Sequence, residues 1–442
     1  MRTDQANVIQ LAPENVTLQL PANRIIDASI LISRVACIDR HPPGEITMFA
    51  RIVAAVSLAA ALPALPAQTT PSFDLKRDTT PAHTVQKLAE GDFNNDGKPD
   101  LVVGAGATTS DITLRLGNGD GSFQAPVVLG TADFPVITDL AVADLNHDGN
   151  LDLIAVSGSS AYDPSTGITR STGDFQVYLG NGHGGFLAPL YYKGTHAPYS
   201  VAVGDFNGDG LNDLAVGEDQ NTVEIFNNVG GDNFVPVEQI SLGNFGNQVK
   251  VRTGDLTGDG QKHIAASGFP GIFVLWNDGH ENFAVASVDT QVGTDITVAD
   301  ANQDGIDDIL GSGQGNAEVV NGQTVGTAQI DISYGLGNRK FSTIRAVKNV
   351  QQVGATGIEA ADVNGDGIAD LVASNNQYSA TSATAGMFVW LGNPDGSCNQ
   401  TPLIYSPTGH NVGSMVAGDW NRDGMMDFAM ALRDDSQVEF VP

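Results

Sequence analysis

Seven stretches of this chain place carboxylates and amides at alternate positions of a tight loop. They read DFNNDGKPD from Asp92, DLNHDGNLD from Asp144, DFNGDGLND from Asp205, DLTGDGQKH from Asp255, DANQDGIDD from Asp300, DVNGDGIAD from Asp362 and DWNRDGMMD from Asp419. In such a loop the side-chain oxygens of positions 1, 3 and 5 face one concave side. Glycine at position 6 permits the sharp turn, position 7 offers its backbone carbonyl, and position 9 adds a carboxylate. That is the chemistry of a hard cation. All-oxygen ligation disfavours zinc and copper, and a flexible loop favours Ca²⁺ over Mg²⁺.

The expected ligands of the first loop are Asp92, Asn94, Asp96, the Lys98 carbonyl and Asp100. The second offers Asp144, Asn146, Asp148, the Asn150 carbonyl and Asp152, and the third Asp205, Asn207, Asp209, the Leu211 carbonyl and Asp213. The fifth offers Asp300, Asn302, Asp304, the Ile306 carbonyl and Asp308. The sixth offers Asp362, Asn364, Asp366, the Ile368 carbonyl and Asp370, and the seventh Asp419, Asn421, Asp423, the Met425 carbonyl and Asp427. The fourth keeps Asp255, Thr257 and Asp259 but ends in His263. A neutral imidazole is a poor calcium ligand, so six sites are expected to be competent and the seventh weak or empty.

Charge supports this reading. The net charge is −30, and of 51 acidic residues 41 are aspartate, 20 of them at positions 1, 5 and 9 of the loops. Acid packed into fixed loops calls for a cation to relieve its repulsion. No basic stripe exists to neutralise phosphates, so nucleic acid is not an expected partner. An EF-hand would need an acid at position 12. That position holds Val103, Ala155, Val216, Ala266, Gly311, Ala373 and Met430, and the flanks read as strands rather than helices.

Short β-prone runs must hold these loops. Leu140–Ala143 and Val201–Gly204 precede loops, while Leu101–Val103, Leu153–Val156, Leu214–Val216 and Leu371–Ala373 follow them. A third run (Phe175–Leu179, Thr222–Phe226, Ile272–Leu275) leads into turns such as LGNGDGSF from Leu116, LGNGHGGF from Leu179 and LGNPDGSC from Leu391. A fourth run follows, as in Phe186–Leu190. Four hairpin-linked strands per repeat, recurring every 45 to 62 residues, predict an all-β seven-bladed propeller of four-stranded antiparallel blades. Phe428–Leu432 and Gln437–Val441 leave the last blade one strand short, and Ser72–Leu75 is expected to complete it, closing the ring.

The loops and the LGNGDGSF-type turns resemble the FG-GAP/VCBS repeat proteins, the calcium-loop propellers related to the head of integrin α subunits. The resemblance covers residues 72–442 and implies fold and metal. Relatives include adhesion modules, lectin-like binders and non-catalytic domains beside enzymes, so activity does not follow from it.

Residues 48–67 read as a secretory signal. Arg51 precedes the apolar run Ile52–Leu65, and Leu65-Pro-Ala67 offers a small-residue cleavage site. The run is too short, and too broken by Pro63 and Pro66, for a stable membrane span. Residues 1–47 are then an extension upstream of the true start, or a disordered segment. The expected location is extracellular or periplasmic. Cleavage leaves Cys398 alone, so no intrachain disulfide is expected and metal is a route to rigidity.

No nucleophile elbow, metalloprotease helix or phosphate loop occurs, and the histidines scatter over different repeats. The chain is not expected to be an enzyme. It reads as a secreted, monomeric binding or adhesion module for an extracellular protein or glycan. The alternatives are a purely structural module and a glycan-acting lyase or hydrolase. A ligand is expected on the face opposite the loops. Long second-to-third connections lie there (157–173, 311–329, 375–386), with Tyr162, Phe134, Tyr199, Tyr378, Phe245 and His410 as candidate contacts.

Overall fold

Runs buried on both sides and runs buried on one side alternate along this chain, and that alternation sets the architecture. In the computed structural model every residue of Asp100–Gly106, Asp213–Glu218, His263–Gly268 and Asp427–Leu432 is buried. By contrast Phe234–Ser241 is exposed over five consecutive residues. Strands of the first kind lie inside a sheet sandwiched between two others, and the second kind forms an outer edge. The structure describes residues 76–78 and 84–441, apart from 107–110, 132–135, 164–167, 231–232, 244–247, 269–270, 290–292, 294, 315–317, 321–322, 326, 352–354, 376–385, 400, 406–411 and 433–436. All of these fall in the unit Ala61–Pro442.

Seven four-stranded antiparallel sheets form the blades. From the axis outwards, blade 1 comprises Thr84–Gly91, Asp100–Gly106, Asp111–Arg115 and Val127–Thr131. Blades 2 to 6 repeat this order, their innermost strands being Ile137–Ala143, Pro198–Gly204, Lys250–Gly254, Asp295–Ala299 and Ala355–Ala361. Each innermost strand touches those of the two neighbouring blades, and Val412–Gly418 of blade 7 touches Thr84–Gly91. The ring is therefore closed. Each Asp-rich loop joins an innermost strand to the second strand of its blade, so all seven lie on one face.

Closure uses the first described strand. Lys76–Asp78 pairs antiparallel with Gln437–Val441, Lys76 opposite Phe440 and Asp78 opposite Val438, giving blade 7 its fourth strand. The expected clasp thus exists, a few residues downstream of Ser72–Leu75, which lies outside the described residues. The signal segment 48–67 and residues 1–47 lie outside them too.

The core is divided rather than central. Seven apolar clusters each span one blade–blade interface. Phe93, Ile112 and Leu114 meet Leu140, Leu153 and Tyr178 between blades 1 and 2. Val85, Leu101 and Val103 meet Trp420, Ala429 and Phe440 across the closing interface. This is why the second and third strands read as continuous apolar runs.

Two of the connections expected to be loops are structured. In blade 2 the pair Asp152–Asp163 and Ile168–Tyr178 continues as a hairpin, with Asp163 opposite Ile168. In blade 5 the hairpin Glu318–Val320 with Gln323–Val325 stands between the second and third strands. The first has Ser/Thr-rich flanks that leave no hydrophobic pattern; the second is marked in sequence by Asn321-Gly322 between Val319-Val320 and Val325. Tyr199 lies in the innermost strand of blade 3. Phe134, Tyr378, Phe245 and His410 lie outside the described residues.

Candidate metal-binding loops

Each loop is folded by its own acids. In loop 1, Asp92 Oδ1 accepts the Asp96 N–H at 3.1 Å and Oδ2 accepts the Gly97 N–H at 2.7 Å. Asn94 Oδ1 accepts the Asp96 N–H at 2.9 Å, and Asp96 Oδ1 the Lys98 N–H at 3.0 Å. Loops 2, 5 and 7 repeat this pattern through Asp144, Asp300 and Asp419. Loops 3 and 6 vary it, Asp205 and Asp362 also accepting the position-4 N–H. The turn needs left-handed backbone twice. Position 4 has positive φ in every loop, even where it is Asn95, His147, Gln303 or Arg422, and position 6 is always a glycine with φ between 77° and 88°. A Cβ at any of the seven position-6 glycines meets nothing within 4 Å, so the requirement there is conformational, not steric.

Position 9 has a separate task. Asp100 is fully buried; its Oδ2 accepts the Phe93 N–H at 2.9 Å and its Oδ1 the Gly117 N–H at 2.8 Å. It thus staples the loop to the end of the third strand. Asp152, Asp213, Asp308 and Asp370 do the same, reaching Gly180, Asn228, Gly335 and Gly392. Asp427 departs, accepting from Asn421 through both its N–H and its side-chain amide. Burial pushes the carboxyls of Asp100, Asp152, Asp213, Asp370 and Asp427 up to about 6 and that of Asp308 to about 7. Backbone N–H groups pull each of them down, and the acids at positions 1 and 5 add repulsion. These are buried charges short of a counter-charge.

Loop 4 is the informative exception. His263 Nδ1 stands 3.2 Å from the Asn277 N–H and Nε2 is 3.2 Å from Thr257 Oγ1, so the imidazole keeps one arm of the staple. The network assigns the proton to Nε2. Burial lowers the His263 pKa and favours this neutral form. Asp255, despite its partial burial, is held low by N–H groups of Gly260, Gly258, Thr257 and Asp259. Loop 4 satisfies its own acids better than its six relatives do.

Position 2, a free position in the sequence reading, is apolar in every copy. Phe93, Leu145, Phe206, Leu256, Ala301, Val363 and Trp420 are all buried between blades. Their carbonyls are used as well: Trp420 O accepts the Gly121 N–H at 3.0 Å, Phe93 O the Gly184 N–H at 3.0 Å, and Phe206 O the Glu281 N–H at 3.2 Å. Asn228 Nδ2 reaches Leu145 O at 2.8 Å. The third-to-fourth-strand turn of one blade thereby latches onto the loop of the preceding blade. Loops also bond to each other. Asn95 Nδ2 donates to Asn150 Oδ1 at 2.9 Å, Asn212 Nδ2 to Asp144 O at 2.9 Å, and the Asp255 N–H to Asp307 Oδ2 at 2.7 Å. Gln303 Nε2 donates to Gly367 O. The seven loops form a nearly continuous belt.

The donor set fits a hard cation in kind, since positions 1, 3, 5 and 7 can each offer an oxygen, although in loops 3 and 7 the position-3 amide also points its Nδ2 at the position-5 carboxylate. Among the described residues no three acids, imidazoles or thiols already converge closely enough to hold a metal. Each position-9 oxygen keeps a lone pair beyond its N–H bond, so a shell would draw on the carboxylates of positions 1, 5 and 9, the position-3 amide oxygen, the position-7 carbonyl and water.

A family model of the FG-GAP-like repeat matches residues 92–155, 167–216 and 205–266. No protein of curated function matches the chain. Among solved structures, one concerning specific recognition of non-reducing terminal N-acetylglucosamine by an Agrocybe aegerita lectin is 19% identical, with a TM-score of 0.48 over 79% of this chain and 87% of that one. Structures of BBS1N in complex with ARL6DN, soaked with mercury or with lead, are 11% identical, with TM-scores of 0.52 over 84% of this chain and 97% of theirs. At 11% identity the likeness to the BBS1N structures speaks to fold alone. Matched repeats in three places, on a closed ring of seven four-stranded blades, make this chain an FG-GAP repeat β-propeller.

Proposed function

We propose that this propeller is a secreted, calcium-stabilised recognition module and not an enzyme, with calcium on the loop face and ligand on the other. The metal reading is supported by the six oxygen-lined loops whose buried ninth carboxylates lack a counter-charge. Bound calcium would neutralise the crowded acids. Asp92, Asn94, Asp96, the Lys98 carbonyl and Asp100, with their counterparts in loops 2, 3, 5, 6 and 7, would hold it; loop 4, with His263 in place of the ninth carboxylate, would bind weakly or not at all.

The recognition reading is carried by one observation. On the face opposite the belt, blades 2 and 5 raise hairpins at 158–173 and 318–325 beyond the sheets. Rigid strands presenting unequal protrusions are a common basis for selective surface binding. Between them the surface is firmly built: Glu218 and Glu224 fix the connection into blade 3 by accepting the His196 N–H at 2.9 Å and the Thr195 N–H at 2.8 Å. The test is an array of glycans and extracellular-matrix proteins probed with the mature chain. Calcium-dependent binding that is lost on deleting 159–172 supports recognition. A blank array favours a structural module, and turnover of a polysaccharide would overturn the non-enzymatic reading.

A further inference from the structure

The channel along the propeller axis encloses a cavity of about 440 Å³. Its walls are the innermost strands, and their side chains form an unusual mixture. Five residues before each loop's first aspartate, blades 1, 2, 4 and 5 carry Lys87, Asp139, Lys250 and Asp295, while blades 6 and 7 carry only Gly357 and Ser414. Two residues further along, blade 4 adds Arg252 and blade 6 adds Glu359.

Two pairs of these charges cancel. Lys250 Nζ lies 2.6 Å from Asp295 Oδ1, and Arg252 Nη1 reaches past blade 3 to within 3.4 Å of Asp139 Oδ2. Glu90, which also lines the cavity, sits beside the loop acids Asp92 and Asp100. Of the remaining charges, Lys87 and Glu359 are left over. Among the described residues neither has a partner within ion-pair or hydrogen-bond distance, and they stand on blades 1 and 6, separated by the small residues Gly413 and Ser414 of blade 7. The wall that could have filled this space with a side chain leaves it open.

We propose that the channel is a binding site for a small zwitterion of the amino-acid class, whose carboxylate faces Lys87 and whose ammonium faces Glu359. The cavity is of the size that takes small ligands, roughly 300–1,000 Å³. A net-neutral ligand suits the rest of the molecule. With a net charge of −30 the protein repels free anions on approach. A simple cation entering the cavity would match Glu359 but leave Lys87 without a counter-charge. Only a molecule carrying both signs satisfies both leftover groups. Their titration agrees with the geometry: burial, then Lys250, pulls the Lys87 ammonium down to about 8, and burial pushes the Glu359 carboxyl up to about 7.

The test is calorimetric titration of the full mature chain in calcium with glycine, L-alanine, L-glutamate and L-lysine. Acetate and methylamine serve as probes carrying half the pattern. At least one amino acid should bind, with acetate and methylamine silent at the same concentration. Lys87→Met and Glu359→Gln should each weaken binding by about tenfold or more, the scale of one charge-assisted hydrogen bond. Lys87→Arg, which keeps the charge, should retain binding, and unchanged circular dichroism would show that each variant folds. No binding of any of the four up to about 10 mM, weaker than any useful affinity, overturns the proposal. Equal binding of acetate, or full affinity in both variants, overturns it as well.

Discussion

The ninth-position staple makes a prediction that does not require metal. Asp308 is wholly buried, with Oδ2 on the Ala301 N–H at 2.9 Å and Oδ1 on the Gly335 N–H at 2.8 Å. Asp308→Ala strands both N–H groups in the protein interior, at about 1–3 kcal/mol each. Part of that loss is offset, because the variant no longer buries a carboxyl whose pKa burial has already pushed to about 7. The expected net cost is about 3 kcal/mol. Asp308→Asn keeps one acceptor and turns its amide against the other N–H, so it should lose about half as much. A propeller of about 370 residues has an unfolding entropy near 0.8 kcal/mol/K, so the alanine variant should melt about 4 °C lower. The assay is thermal and urea denaturation in excess chelator, which removes any metal contribution. A loss below about 1 kcal/mol for Asp308→Ala would refute the staple.

Other positions separate conformational from steric demands. Gly210→Ala, at φ 88° with open space around the new Cβ, should cost only about 1–2 kcal/mol by urea denaturation. Gly117→Ala would set its Cβ 2.1 Å from the Pro99 carbonyl oxygen and should cost several times more, or prevent folding. His263→Asp restores the ninth carboxylate of loop 4, both as a staple and as a ligand, so it should raise the melting temperature more in calcium than in chelator. Glu359 faces Arg252, Asp295, Lys250 and Asp139 in the channel, and burial lifts its pKa to about 7. The folded state therefore holds a proton that the unfolded chain, near 4.5, gives up, and stability falls as pH rises between those values. Glu359→Gln should be more stable than wild type above pH 7, with the gap closing towards pH 4.5, as followed by melts across that range.

The ring was readable because its signals are local. Each loop carries its own turn chemistry, each flanking strand its own apolar run, and a missing fourth strand could be counted at Gln437–Val441. What stayed hidden depends on neighbours in space. The buried apolar residue at position 2 recurs in all seven copies, from Phe93 to Trp420, and that recurrence was the available signal for the blade-to-blade latch. The staple is subtler, because an aspartate that binds metal and one that holds two N–H groups look alike in sequence. The hairpin at 158–173 carries few apolar residues, so its pairing leaves no periodic trace, whereas at 318–325 the Asn321-Gly322 step between Val319-Val320 and Val325 was an available signal. The channel charges are single residues on different strands, and only closure of the ring brings Lys250 to Asp295 and Arg252 to Asp139.

The central claim is that six loops hold calcium and thereby lock the belt. Sites of about 0.1 mM affinity at roughly 1 mM calcium would each add about 1.4 kcal/mol. Six together contribute about 8 kcal/mol, or roughly 10 °C on the entropy used above. The most direct measurement is calorimetric calcium titration of the chelator-stripped chain, with melts before and after. Close to six ions should bind, with a rise of that order in melting temperature. No calcium uptake, or a melt indifferent to calcium, would contradict the claim.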